Sequence, residues 1–457
     1  MSKYRHAKKP GIKQIAIIAG IAVAAIALIV GIVFAVINLL PDSEKTQDPT
    51  TAQKSTVGEI KEVPTEPHEE NPDLKYSALA KKYLDTMTSD EKIYQMLLVS
   101  PESLTGVDQV TAAGEQTKTA LTQKPVGGIL YTSQNFENDS QSKETGVMEM
   151  ISNTKSYAST PLFIATQEEG GENSPLATAL GLDKPDNASA YATQGEAVAF
   201  KNADTIATYL AKYGFNMNFA PFMGLSGNNS FSQDPATAGS LATQSMLAYQ
   251  SKSIVSVVNS FPDANETDVA YDSMKQKEFV PFVTAIDKGA DTIMVSTSKA
   301  LSIHQDPAFM ADIIVKDILK DAKDLGFNGL VITAPIAQSG VDADGSGYII
   351  DDIVTSAIHN GVNMFVCPRD IDLYYTAIKN ALDKNIITQA QIDECVTNIL
   401  KVKFKYGIIA EDFKRTPVTQ QDSTQAPTQE ATQIPSETAT ETLTQQETAY
   451  QDPSQYQ

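Results

Sequence analysis

Tryptophan is absent from the 457 residues, and cysteine and histidine are scarce, with two and four copies. Cys367 and Cys395 cannot build a disulfide framework, and they lack the paired spacing of a zinc site. His6, His68, His304 and His359 stand far apart, so no histidine-rich metal centre is expected, and nothing calls for a cofactor. Basic charge is in deficit, with 35 Lys and Arg against 56 Asp and Glu and a formal charge of −21. A phosphate backbone needs a basic footprint, so nucleic acid is not an expected partner. What remains is ordinary: 42% hydrophobic and 20% charged residues suit one large globular domain and rule out wholesale disorder.

Extra segments flank that domain. Residues 1–14 form a basic tip carrying Lys3, Arg5, Lys8, Lys9 and Lys13 without an acid. Residues 15–40 are apolar apart from Asn38, and as a helix they would reach roughly 39 Å, more than a bilayer core requires. The positive flank predicts a cytoplasmic N-terminus, a single-pass anchor in the cell membrane and export of everything after Leu40. A cleaved signal peptide is the rival reading, but its apolar stretch is shorter, and Asn38-Leu39-Leu40-Pro41 is a poor cleavage site. Residues 41–73 read as a solvated stalk rich in Pro, Thr, Glu and Lys. Residues 415–457 read as a disordered Thr- and Gln-rich tail.

Between them, residues 74–414 alternate regularly. Apolar runs with strand character fall at 95–100, 126–131, 162–166, 216–220, 254–261, 292–296, 330–333 and 362–367. Helical periodicity fills most of the gaps, as at 203–213 and 308–325. Continuous apolar strands separated by helices indicate a parallel sheet covered on both faces, and eight such units predict an α/β fold of the (β/α)8 TIM-barrel type. A doubly wound open sheet is the competitor, because periodicity cannot reveal closure. Thr88-Ser89-Asp90-Glu91 reads as a capping box before the first strand. Thr388 and Gln391 cap a last helix in which Ile392, Val396, Ile399 and Val402 recur, with Gly407 to stop it.

Barrel chemistry belongs at the C-terminal ends of the strands. Those ends carry Gln167-Glu168-Glu169-Gly170-Gly171 after strand three, Pro221-Phe222-Met223-Gly224 after strand four and Pro262-Asp263-Ala264-Asn265-Glu266-Thr267-Asp268 after strand five. Strand six leads to Lys299 and His304, strand seven to Ala334-Pro335-Ile336, and strand eight to Pro368-Arg369-Asp370.

Seven segments, in this order, resemble a known family: TSDEKIYQMLLV (88–99), VGGILY (126–131), FIATQEEGG (163–171), GFNMNFAP (214–221), SFSQDP (230–235), GFNGLVIT (326–333) and IDECVTNILKVKFKYG (392–407). The domain is similar to the N-terminal barrel of glycoside hydrolase family 3, in its β-N-acetylhexosaminidase-like branch. That resemblance implies a retaining mechanism, in which a carboxylate attacks the anomeric carbon and an acid/base group protonates the leaving oxygen. It also implies a nucleophilic Asp directly after strand seven, where this chain has Ala334. The family's acid/base His lies after strand five in a K-H-F-P-G-H-G-D-T pattern. Here the run begins Asn259-Ser260-Phe261-Pro262-Asp263, without a His nearby.

The sugar-binding positions implied by the resemblance depart too. Gln167 stands for an Asp, Glu172-Asn173-Ser174-Pro175 replaces the run holding an Arg, Gly224 stands for an Asp and Asn229 for an Arg. Scaffold residues match while chemistry residues do not. A positioned acid/base alone is worth about 10²–10⁴ in rate, so hydrolysis by the family mechanism is not expected. The chain therefore reads as a pseudo-glycosidase, a binding or scaffolding module of the cell envelope whose partner is a cell-wall glycan or envelope protein. The alternative is an active hexosaminidase-like enzyme in which Glu168, Glu169, Asp263, Glu266 or Asp268, all expected near the mouth, supply replacement carboxylates about 6.5–9.5 Å apart.

Weaker signals read as structure. Asp342-x-Asp344-x-Ser346-Gly347 lacks the Glu that completes a calcium loop, since Ile353 stands there, and reads as a turn. Both cysteines read as small buried residues, and His304 as a surface residue. Tyr131, Phe222 and Phe231 are either sugar-stacking rings or core.

Overall fold

Eight short apolar runs become eight parallel strands: β1 (Leu97–Val99), β2 (Gly128–Leu130), β3 (Phe163–Thr166), β4 (Met217–Asn218), β5 (Val255–Phe261), β6 (Thr292–Val295), β7 (Leu330–Thr333) and β8 (Phe365–Val366). They belong to a computed structural model that describes residues 72–137, 142–263 and 269–415. The expected cytoplasmic tip, membrane span and most of the stalk and tail lie outside the described residues, as do Glu266 and Asp268.

Hydrogen bonding runs β7-β6-β5-β4-β3-β2-β1-β8. The ends of that sheet meet through a parallel bridge between Ile332 and Met364, so the sheet curls into a barrel and not an open layer. Every β1, β2, β3, β6 and β7 residue is buried, which is why these strands read as continuous apolar runs without alternation.

Asparagine side chains extend the ladders where the strands are short. Asn216 accepts from the Ile164 N–H at 2.7 Å and donates to the Leu162 carbonyl at 3.0 Å. Asn218 does the same for Glu168, at 2.8 and 2.9 Å. A carboxamide offers one acceptor and two donors, so each Asn acts as an extra peptide unit between β3 and β4.

Helices form the outer layer. The Glu196–Lys212 helix buries Ala199, Ala203, Ile206 and Leu210 against the barrel, a spacing of three to four residues that lines one face. Both predicted capping boxes are present: Thr88 with Glu91, and Thr388 with Gln391. Gly407 takes φ +66° after the last helix, as a C-terminal stop requires.

The periodic stretch 308–325 departs from the expected α-helix. It divides into a 3₁₀ turn at Ala308–Met310 and a π-helix at Ile313–Lys320. Its buried pairs Ile314/Ile318 and Val315/Leu319 lie four residues apart, the spacing of an ordinary helical face, so the pattern does not mark the wider turn.

The base of the barrel holds a fully buried lysine. Lys403 donates to Gln95 Oε1 at 2.8 Å and lies 5.0 Å from the centre of the Phe163 ring. Burial pulls its amine down to about 7.

Candidate functional site

A cavity of about 720 Å³ opens over the C-terminal ends of β2, β3, β4, β7 and β8. Its wall includes Tyr131, Gln167, Phe219, Pro335, Gln338 and Cys367. The volume lies within the range of small-molecule sites, roughly 300–1,000 Å³. The lining mixes apolar faces with hydroxyl and amide groups, and two exposed carboxylates, Glu137 and Glu172, stand among its residues.

Three consecutive residues after β3 take three different places. Gln167 is exposed and lines the cavity. Glu168, one step further along an extended chain, points to the opposite side and is fully buried. Its Oε2 accepts from the Tyr209 hydroxyl at 2.7 Å, and its Oε1 accepts from the Leu176 N–H at the start of the Pro175–Leu180 helix. Burial raises its carboxyl to about 7, against the opposing pull of these hydrogen bonds.

Glu169 is also buried. Gln167 Nε2 donates to its Oε1 at 3.1 Å, while its Oε2 has no hydrogen-bond partner among the described residues. It faces a space closed down to about 10 Å³ and shared with Tyr191, Phe222, Asn229 and Phe231. Burial raises this carboxyl to about 7 as well, opposed by Gln167, Asn173 and Asn259.

The expectation that Glu168 and Glu169 project at the mouth is therefore corrected. The two-residue period of extended chain sends Glu168 into the helix layer, and Tyr191 and Phe231 roof the space that Glu169 faces.

The β4 and β5 exits close one side of the mouth. Asn259 turns its amide to β4, donating to the Phe219 carbonyl at 3.1 Å, and its own carbonyl accepts from the Met223 N–H at 2.7 Å. Ser260 is half-buried beside it. A Cβ placed on Gly224 would stand 2.1 Å from the Phe222 ring and 2.5 Å from the Asp263 carboxylate. The volume a side chain at 224 would occupy is thus already filled. Burial raises the Asp263 carboxyl, and the nearby Glu278 adds to the rise.

Ala334, half-buried, follows β7 and donates its N–H to the Val295 carbonyl at 2.8 Å; its neighbour Pro335 lines the cavity. His304 is not part of the cavity wall. Its Nδ1 accepts from the Asp306 N–H at 3.1 Å within its own loop, because the two-residue spacing favours that local turn.

Some cavity residues escaped the sequence reading. Cys367, expected to be merely buried, is half-buried and lines the cavity at the end of β8, its thiol pushed up to about 12 by burial. Gln338 lies four residues past Ala334, where no motif marks it. Tyr131 serves both roles, being core against Phe215 and cavity wall, with its hydroxyl 2.9 Å from Thr154 Oγ1. Phe231 packs edge-on against Tyr191 as core. Asp342 accepts from the Arg369 N–H at 2.7 Å and thus serves the loop after β8.

The family model for the glycosyl hydrolase family 3 N-terminal domain matches residues 88–402. Among curated relatives, the chain is 24% identical over 332 residues to beta-hexosaminidase A of Pseudoalteromonas piscicida, covering 62% of this chain and 54% of that protein. It is 26% identical over 291 residues to a beta-N-acetylglucosaminidase/beta-glucosidase of Cellulomonas fimi, covering 56% of this chain and 50% of that one. The chain thus spans about half the length of these two relatives. In fold it is similar to a glycoside hydrolase family 3 beta-N-acetylglucosaminidase from Paenibacillus, with TM-score 0.62, 20% identity and coverage of 75% of this chain and 66% of that one. The beta-N-acetylglucosaminidase from Thermotoga maritima gives TM-score 0.58 at 19% identity, covering 68% of this chain and 66% of that one. With the barrel, its mouth and a family match over most of the described chain in place, the protein belongs to the glycosyl hydrolase family 3 N-terminal domain family.

Proposed function

We propose that this barrel is a pseudo-glycosidase that binds glycan at its mouth, held on the outer side of the cell membrane by residues 15–40. The observation that carries the reading is Ala334 at the exit of β7, where the family resemblance calls for a nucleophilic carboxylate. Its neighbours offer no direct substitute. Glu168 is committed to Tyr209 and to a helix N-terminus, and Glu169 is buried beside a closed space. Phe222 and Asp263 fill the space above Gly224. Besides Glu137, Lys143 and Glu172 at its wall, the cavity that remains is lined by rings, amides and hydroxyls, groups that suit the apolar faces and hydroxyl edges of a sugar. The apolar run behind a basic flank supports the anchor.

The test is release of chromophore from a chromogenic β-N-acetylglucosaminide by the purified full-length chain, with Ala334→Asp beside it. The wild type is expected to stay at the uncatalysed rate. Ala334→Asp alone should stay there too, because it restores neither the acid/base nor the charged sugar-holding groups that the family resemblance calls for at Gln167, Gly224 and Asn229. Turnover well above background by the wild type overturns the reading.

A second reading has one observation in its favour. Glu137 and Glu172 are exposed carboxylates on the cavity wall, and several relatives are named as hexosaminidases. Were the wild type active, loss of turnover in Glu137→Gln or Glu172→Gln would identify the carboxylates responsible.

A further inference from the structure

A second concavity of about 680 Å³ lies beside the mouth, between the helices Pro101–Thr105 and Glu115–Gln123 and the start of Ile371–Asp383. Its volume nearly equals that of the mouth cavity. The two flank the same stretch of chain. Cys367 and Ala337 line the mouth, and Arg369 lines the groove. Ala337 donates its N–H to the Cys367 carbonyl at 3.0 Å, and Arg369 Nη2 donates to the Ala337 carbonyl at 3.1 Å. A ligand leaving the mouth over β8 therefore meets the groove within a few residues.

The charges of the groove nearly balance, three acids against two bases, and each is engaged within the chain. Lys124 pairs with Asp372 at 2.7 Å, and Glu115 with Lys118 at 3.4 Å. Arg369 faces Asp342 at 3.5 Å, and Asp370 accepts the N–H groups of Asp372 and Leu373 as a helix cap. What stays available is one face of the Glu115–Gln123 helix. Gln116, Thr119 and Gln123 recur there at i, i+3 and i+7, all exposed and none with a side-chain hydrogen bond among the described residues. Leu104 and Ala120 add an apolar floor. Open amides and a hydroxyl beside small apolar patches suit a ligand with many hydroxyl or amide groups and no net charge.

We infer that the groove is an extension site for an uncharged glycan chain, so that the protein engages several consecutive sugar units and not one terminal unit. The inference rests on the glycan-binding reading of the mouth and adds a second contact region to it. Joining two contact regions on one ligand raises affinity through effective concentration, by on the order of 10²-fold where the span fits.

Isothermal titration of the purified full-length chain with N-acetylglucosamine and its β-1,4-linked dimer and pentamer tests this. The pentamer should bind on the order of 10²-fold tighter than the dimer. The triple change Gln116→Ala, Thr119→Ala, Gln123→Ala should bring the pentamer down to the affinity of the dimer and leave the dimer unchanged. All three residues are exposed, so the fold should hold, and circular dichroism melting checks that it does. If dimer and pentamer bind equally, or the triple variant keeps the length preference, the groove plays no part while the mouth reading stands. If neither oligomer binds, the mouth reading fails and the extension site falls with it.

Discussion

Gln167, Glu168 and Glu169 are neighbours in sequence, yet one faces the cavity, one anchors a helix and one is sealed beside a closed space. Glu168 joins the barrel to its outer layer through Tyr209 on one oxygen and the Leu176 N–H on the other. Tyr209→Phe would leave a buried carboxyl oxygen without its donor, at a cost of about 1–3 kcal/mol in unfolding free energy. Denaturant unfolding measures it, and an unchanged midpoint would show that Glu168 is not held in this way. The identities of these residues were legible in the sequence, but their directions were not. Direction depends on where the two-residue alternation of β3 ends, and that phase is set by Asn218 gripping Glu168 from the next strand. Ala334 needed no such information, because Leu330–Thr333 fixed its place.

Among the secondary-structure elements, the eight strands were readable because both their faces are buried, and two helix starts because their capping pairs are local. The π-helix was not, since its apolar residues fit a helical period without specifying the width of the turn. The motif at 126–131 now has a physical reason. A Cβ on Gly127 would lie 2.0 Å from the Gln95 carbonyl oxygen, and one on Gly128 would lie 2.8 Å from Phe163 Cβ. β2 runs so close to its neighbours that a side chain at 127 must push backbone aside. Gly127→Ala should therefore destabilise the barrel by about 1–3 kcal/mol or more. The unfolding midpoint again measures this, with Gly106→Ala as a comparison whose Cβ meets nothing within 4 Å. Gly106 itself sits at φ +72°, so its variant reports backbone strain alone.

For the whole molecule, buried ionisable groups of opposite kind oppose each other across the pH scale. Glu168 and Glu169 are raised from 4.5 to about 7, so between those values the folded chain keeps protons that the unfolded chain has released. Their contribution to stability therefore falls as pH rises through that window. Lys403 is lowered from 10.5 to about 7, so above neutrality the unfolded chain keeps a proton that the folded chain has shed. Its contribution to stability rises with pH from there. The melting temperature should accordingly pass through a shallow minimum near neutral pH. Thermal melts across the range test this: Glu169→Gln should flatten the acid limb, and Lys403→Met the alkaline one. A profile unmoved by either variant would refute the assignment.

The join between β7 and β8 has a mechanical consequence. β6 and β7 share four registered residue pairs, whereas β7 and the chain entering β8 meet at one bridge, where the Val331 carbonyl accepts from the Asn363 and Met364 N–H groups, Thr333 donates its N–H to the Met364 carbonyl, and the Asn363 and Thr333 side chains assist. The barrel is a hoop with a single clasp, and the clasp lies directly before Ala334 and Cys367, below the floor of the mouth. Thermal breathing should part the hoop there first, with deuterium entering at Asn363 and Met364 before it reaches the amides of β7 bonded to β6. Any molecule that spans the mouth from Pro335 to Cys367 would then act as a latch across the opening and slow that exchange.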